Sequence, residues 1–241
     1  SDAWVAHARR LAERVIADRR LSSASLVVEI ASNDGYLLQH YQRAAVPVLG
    51  IEPAANIAAV AEAKGIPSIV RFFGRDLARE LREAGRAADV IHANNVLAHV
   101  PDLTGVVAGF HTLLAPGGVV IVEAPYVRDM VDHGEFDTIY HEHLCYFSLT
   151  ALVRLFANQG LRVIDAERLP THGGSLRITA GRAADRGDAA PAVATLLAEE
   201  EAWGVDRPAR YDQFGEDARR IRRDLRAMVA GLRAQGHEVA A

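Results

Sequence analysis

Val27-Val28-Glu29-Ile30-Ala31-Ser32-Asn33-Asp34-Gly35-Tyr36 is the stretch on which the fold turns. A short apolar run bounded by turn residues reads as a buried strand, and the helical pattern Tyr36–Ala44 follows it. Gly35 lets the chain turn tightly and lets a ligand approach the backbone where a helix begins, a place that favours an anion. One glycine does not meet the three-glycine dinucleotide fingerprint, so a pyrophosphate ligand is disfavoured.

Working outward, the same alternation repeats. Strands are predicted at Leu26–Ile30, Pro47–Ile51, Ser68–Val70, Asp89–His92, Val119–Glu123, Arg162–Arg168 and Ser175–Ala180. Helices fall between the first six, at Tyr36–Ala44, Ala54–Lys64, Asp76–Ala84, Leu103–Leu114 and Leu149–Asn158. Strands alternating with helices of this length predict a parallel sheet covered on both faces. The last two strands are joined by a short connection holding Gly173 and Gly174, too short for a parallel crossover, so they form an antiparallel hairpin. The expected fold is α/β, a doubly wound, mostly parallel sheet with an antiparallel edge hairpin and flanking helices. It resembles the class I methyltransferase sheet more than a dinucleotide-binding one.

An amphipathic helix, Trp4–Arg20, precedes this core, with Val5, Leu11, Val15 and Ile16 as its apolar face. Two helical patterns, Ala192–Gly204 and Pro208–Arg233, follow it, and Gln235 to Val239 reads as a helix stop and a strand start. The division expected is an N-terminal helix over 1–21, a core over 22–182, and a helical segment over 183–241 that leads into a further, truncated domain.

Composition narrows the function. The chain of 241 residues is half hydrophobic with net charge −4, which disfavours a nucleic-acid partner held through phosphates. The single cysteine, Cys145, rules out an internal disulfide and a multi-cysteine zinc site. No apolar run is long enough to span a bilayer and no signal segment opens the chain, so no membrane partner and a cytoplasmic location are expected.

The second strand ends in Gly50-Ile51-Glu52-Pro53, about 20 residues past the turn, where an acid accepts ribose hydroxyls. The competing readings of Glu52 are a solvated loop acid and a helix-start acid ahead of Pro53. Asn94-Asn95-Val96 follows the fourth strand at the carboxyl edge, where doubly wound sheets bind ligands. Leu114-Ala115-Pro116-Gly117-Gly118, before the fifth strand, is a common methyltransferase arrangement whose physics is that of a structural turn. Together with the hairpin-edged sheet these features point to S-adenosyl-L-methionine, its carboxylate at the Gly35 turn and its ribose on Glu52. The candidate cofactor residues are Glu29, Ala31, Asn33, Gly35, Tyr36, Leu37, Glu52, Pro53, Asn94, Asn95 and Val96.

Between the fifth strand and the next helix lies Phe136-Asp137-Thr138-Ile139-Tyr140-His141-Glu142-His143-Leu144-Cys145-Tyr146-Phe147. A histidine beside a carboxylate and a phenol, on a loop at this edge, is a proton-transfer set. A metal on His141, His143 and His133 is one alternative, although the helical His-Glu-x-x-His spacing is absent and no metal is expected. A plain polar loop that caps the following helix is another.

At five places the chain is similar to the sugar carbon-methyltransferases of antibiotic deoxysugar pathways. They are LVVEIASNDGYLLQHY (26–41), LGIEPAA (49–55), NNVLAHVPD (94–102), FDTIYHEH (136–143) and PTHGGSLRI (170–178). The resemblance implies methylation at carbon 3 of a deoxythymidine-diphosphate 4-keto sugar, so the partner expected is a nucleotide-sugar small molecule. It implies that His143 removes the carbon 3 proton, with Tyr140, Glu142 and His99 orienting or stabilising. His141, Tyr146 and His172 are the further candidates for substrate contact. Family members also carry a zinc-binding domain before this region and a second α/β domain after it, so the chain reads as a central piece. The rival readings are an oxygen or nitrogen methyltransferase of another small metabolite and a non-catalytic interaction domain of the same fold. The oligomeric state does not follow from the sequence.

Overall fold

The computed structural model describes residues 2–185 and 187–240; the side chains of Asp2 and His172 lie outside the described residues. Helix α1 spans Asp2–Arg19. Then strands β1 (Val27–Ile30), β2 (Val48–Ile51), β3 (Ser68–Ile69), β4 (Ala88–Asn94) and β5 (Leu114–Pro125) alternate with helices. These are α2 (Leu38–Arg43), α3 (Ala55–Ala63), α4 (Arg75–Glu83) and α5 (Leu103–Leu113). Beyond β5 come α6 (Val127–His133), α7 (Leu149–Ala157), β6 (Leu161–Leu169), β7 (Ser175–Arg182), α8 (Pro191–Trp203) and α9 (Pro208–Ala234).

Among the described residues seven strands form one sheet in the order β3-β2-β1-β4-β5-β7-β6. The first five are parallel, and β7 runs antiparallel to both β5 and β6. The hairpin expected from Gly173-Gly174 is therefore formed. One of its strands, β7, inserts beside β5 and leaves β6 at the edge.

Every residue of β1 and β2 is buried, as a parallel sheet covered on both faces requires. Successive side chains alternate between the faces. Val28, Leu49 and Ile91 pack with α4, α5 and α7, while Val27, Val48 and Val90 pack with α1, α2 and α3. Helix α1 is thus part of one core layer through Ala8, Leu11, Ala12 and Val15. Val5, expected on that face, is instead 39% exposed, because it borders an open cavity at the carboxyl edge of the sheet.

Three local features differ from the sequence reading. Helix α6 was not anticipated. It is two turns long, follows Pro125 and ends at Gly134 in the left-handed conformation, φ 72°. The Pro116-Gly117-Gly118 segment is an irregularity within a longer β5, where the pairing with β4 jumps from Ala88–Leu114 to Val90–Val119. The strand start after Gly236 is not formed. His237–Ala240 pair with no strand, and a strand without a partner satisfies none of its backbone groups.

Buried Glu200 of α8 holds the start of α7, accepting from the Leu149 and Thr150 amides at 2.6 and 2.8 Å. Ser148 caps the same helix through Ala151 N–H at 3.1 Å. Ser148→Ala is expected to lower stability by about 1 kcal/mol, read as a lower urea midpoint at unchanged slope.

The first turns of α9 dock on α6, with the Trp203 indole and Arg210 both on Asp132. Farther out the helix presents Ile221, Leu225, Met228 and Leu232, all exposed, at spacings of four, three and four. This is the stripe of a helix that packs along one seam, and among the described residues nothing covers it.

Candidate active site

The carboxyl edge of the sheet is shaped by three residues in the left-handed conformation. Ala31 and Asn33 follow β1 at φ 52° and 50°, and Asn95 follows β4 at φ 55°. A non-glycine residue holds this conformation only where its surroundings impose it, and three of the five such residues described gather here. Gly35, at φ 77°, completes the first turn, and a Cβ there would lie 2.2 Å from Ile66 Cδ1. That atom is the far end of one side chain, so the conformation, more than the packing, calls for glycine here. Helix α2 begins only at Leu38, three residues beyond Gly35, so the turn itself, more than a helix end, faces any ligand.

Three cavities open along this edge and meet at Asn95, which lines all of them. The first, about 470 Å3, is walled by His99, Tyr140, His143, Tyr126 and the Gly173-Gly174 turn. The second, about 550 Å3, is mainly apolar, with Ile51, Pro53, Phe72, Phe73 and Val106. The third, about 630 Å3, is lined by Trp4, Asn33, Asp34, Tyr36 and Asn94.

In the first cavity the hydrogen bonds fix the histidine tautomers. His143 Nδ1 lies 3.0 Å from the Thr138 carbonyl oxygen, which only accepts, so Nδ1 carries the proton. The lone pair is left on Nε2, where the Tyr140 hydroxyl donates at 3.2 Å. His99 is set the same way, donating from Nδ1 to the Glu142 carbonyl at 3.0 Å, and its ring lies 5.0 Å from that of His143. The loop is pinned to the sheet edge by Leu144 N–H on the Ala98 carbonyl at 2.8 Å.

The remaining candidates in this loop stand differently. The Glu142 side chain is 62% exposed and acts on His99 only through its backbone. It does not orient His143, which a backbone carbonyl positions instead. His141 is 89% exposed and points out of the cavity. Tyr146 packs edge-on against His143 and donates to the Thr138 carbonyl at 3.2 Å, with burial raising its phenol. His133 binds the Gly173 carbonyl at 3.0 Å, far in role from His141. Among the described residues no three His, Cys, Asp or Glu side chains gather at metal-binding spacing.

Of the cofactor candidates, Ala31, Asn33, Tyr36, Pro53, Asn94, Asn95 and Val96 line the second or third cavity. Leu37 is fully buried in the core beside α2 and lines none of the three. Glu29 is buried inside the sheet, and burial, with Asp34 and Glu52 nearby, raises its carboxyl well above the usual range. Glu52 is buried between the turns, its two oxygens accepting from Ala54 N–H at 2.9 Å and Asn33 N–H at 3.1 Å. Ala54 lies just before α3, whose first turn holds no acid, so Glu52 ties the Asn33 turn to the loop ahead of that helix, and one lone pair on each oxygen is left over. Trp4, Phe72 and Phe73 were missed. The two phenylalanines follow β3 at the carboxyl edge, and that position was the available signal.

The residues suit S-adenosyl-L-methionine. A mainly apolar cavity for a purine adjoins a more polar one for an amino acid, and buried Asn94 Oδ1 has no partner among the described residues, as an acceptor awaiting an ammonium group would. Strand order, antiparallel β7 and this edge define a class I S-adenosylmethionine-dependent methyltransferase. The methyltransferase-domain family matches residues 4–166, and the C-methyltransferase C-terminal domain matches residues 170–241. The chain belongs to the methyltransferase-domain family, in the group that carries that C-terminal domain. It is 37% identical to the C-methyltransferase NovU of Streptomyces niveus over 98% of its own length, and it spans 56% of that protein. Among solved structures, the PH0226 protein of Pyrococcus horikoshii superposes with TM-score 0.61 at 13% identity, over 76% of this chain and 92% of that one. Magnesium protoporphyrin IX methyltransferase of Synechocystis, solved with bound S-adenosylmethionine, gives 0.54 at 15%, over 74% and 79%. No helix among the described residues is long and apolar enough to cross a membrane.

Proposed function

We propose that this protein methylates a carbon next to a ketone, carbon 3 of a nucleotide-linked 4-keto-deoxysugar, bound with its reacting end in the 470 Å3 cavity. The observation that carries the reading is the His143 tautomer, which puts a basic nitrogen on that cavity. A proton beside a ketone is removable because its loss gives an enolate, and a positioned imidazole is suited to take it. Tyr140 holds the Nε2 lone pair when no acceptor is bound. On binding, its hydroxyl turns to the ketone oxygen, where developing negative charge needs a donor. His99, on the wall shared with the second cavity, orients the acceptor toward the methyl group. The cofactor, when bound, supplies an electrophilic methyl; Asn94, Asn95, Glu52 and the Ala31–Gly35 turn hold it. The 37% identity to a protein named as a C-methyltransferase supports carbon as the acceptor atom.

The test is nuclear magnetic resonance of a deoxythymidine-diphosphate 4-keto-deoxysugar incubated with the protein in heavy water. With S-adenosylhomocysteine present, the carbon 3 proton is expected to wash out. With S-adenosylmethionine, a new methyl is expected on carbon 3. A methyl on oxygen or nitrogen, with no proton washed out, overturns the proposal.

A further inference from the structure

Helix α1 lies before the sheet in sequence, yet its first turn reaches the carboxyl edge. Trp4 lines the third cavity beside Asn33, Tyr36 and Asn94, and Asn95 at the junction of all three cavities lines it too. The contact is not incidental packing of a loose end. Trp4 shares the cavity wall with Tyr36, and its ring stacks on His7, with centroids 5.5 Å apart and planes within 12°.

His7 in turn belongs to a chain of charges that fastens the helix to the sheet. His7 Nε2 lies 3.0 Å from Glu123 Oε1 on β5. Arg177 of β7 donates to Glu123 Oε2 from Nε and a terminal nitrogen at 3.0 and 2.7 Å, and its other terminal nitrogen meets Glu167. Arg14, about two helix turns farther along α1, completes the clasp with two bonds to Glu167 at 2.7 and 3.1 Å. Glu123 and Arg177 are 2% and 7% exposed. A buried ion pair contributes little net stability against an apolar alternative, and its best-attested use is to fix geometry. Here the geometry it fixes is that of the site: the backbone carbonyl of Glu123 accepts the Asn95 N–H at 2.7 Å. One residue of β5 therefore holds both the cavity junction and the helix that covers it.

We propose that α1 is a fixed cover over the amino-acid end of the cofactor, with Trp4 as its contact residue and the Glu123–Arg177 pair as its clasp. This rests on the reading that the second and third cavities hold S-adenosylmethionine. The second cavity, with Phe72, Phe73 and Ile51, takes the purine. The third, with Asn33, Asp34 and the unpartnered Asn94 Oδ1, takes the amino acid. Trp4 therefore touches the half that carries the methionine charges and leaves the nucleoside half alone.

Two probes separate the halves. S-adenosylhomocysteine has both; 5′-methylthioadenosine keeps the nucleoside and sulfur but lacks the amino acid. Their dissociation constants are measured by calorimetry on the wild type, Trp4→Leu and Trp4→Phe. Trp4→Leu is expected to weaken S-adenosylhomocysteine by about tenfold, the scale of one well-made polar contact, and to leave methylthioadenosine within about twofold. Trp4→Phe keeps a ring and recovers part of the loss. Arg177→Lys, which loosens the clasp, is expected to shift the same ratio in the same direction. Intrinsic fluorescence gives a second readout, since the chain has two tryptophans. Quenching by S-adenosylhomocysteine is expected to survive Trp203→Phe and to vanish in Trp4→Phe. Unchanged affinity for S-adenosylhomocysteine in Trp4→Leu overturns the proposal, as does an equal loss for both probes. A wild-type protein that binds neither probe overturns the cofactor reading itself, and the cover with it.

Discussion

His143→Asn is expected to lose about a hundred- to ten-thousandfold in methylation rate, the usual cost of removing a positioned general base. Asparagine can still reach the Thr138 carbonyl that now receives Nδ1–H, so the loop keeps its anchor. What it lacks is a nitrogen lone pair in place of Nε2 to take a proton. Carbon 3 exchange into heavy water should fall by the same factor as methylation, because both pass through proton removal. Affinity for S-adenosylmethionine should hold, since His143 lines the acceptor cavity and neither of the other two. His99→Asn is the control. Its side chain is on the wall between acceptor and cofactor cavities, so methylation should fall less, or fall while exchange persists. Wild-type exchange and methylation in the His143→Asn protein would move the base elsewhere, with His99 first to be tested.

Glu52→Ala is expected to weaken S-adenosylmethionine binding by about ten- to a hundredfold, the worth of one or more hydrogen bonds to a charged group. Two effects add. The proposed ribose bonds are lost, and the Asn33 amide loses the acceptor that ties its turn to the loop ahead of α3. Glu52→Gln separates them, because its amide keeps one acceptor oxygen and loses the charge. Its loss should lie between wild type and alanine. Calorimetry that finds the alanine variant binding as tightly as wild type would remove Glu52 from the cofactor site. A lower melting temperature with unchanged affinity would leave it only its role at the turn.

The sequence by itself determined the layers. Runs such as Val27-Val28 and Val48-Leu49, each between turn residues, admit little but buried parallel strands, and the short Gly173-Gly174 link admits only an antiparallel return. These are local signals, set by neighbours within a few residues. The Tyr140–His143 cluster was legible as chemistry for the same reason, since proton-carrying side chains in a row stand out by type. Their assignment was not. Whether Glu142 offers its carboxylate or its carbonyl, and whether His141 or His143 turns inward, depends on how the loop hangs from Ala98, a contact 46 residues away in the chain. The bonds of Glu52 to the Asn33 and Ala54 amides came into view only with the fold.

Tertiary structure alone also decided the remote contacts. Trp4 and Asn95 line one cavity, and His7 meets Glu123 and Arg177, across more than ninety residues. No periodicity in α1 announces this, because a helix pattern reports which face is apolar and not what that face or its end will touch. The α9 stripe makes the same point from the other side. Ile221, Leu225, Met228 and Leu232 fall on one face by spacing alone, so the sequence determined the seam. What a seam packs against is fixed by surfaces brought together in space, and that information is spread over the whole fold.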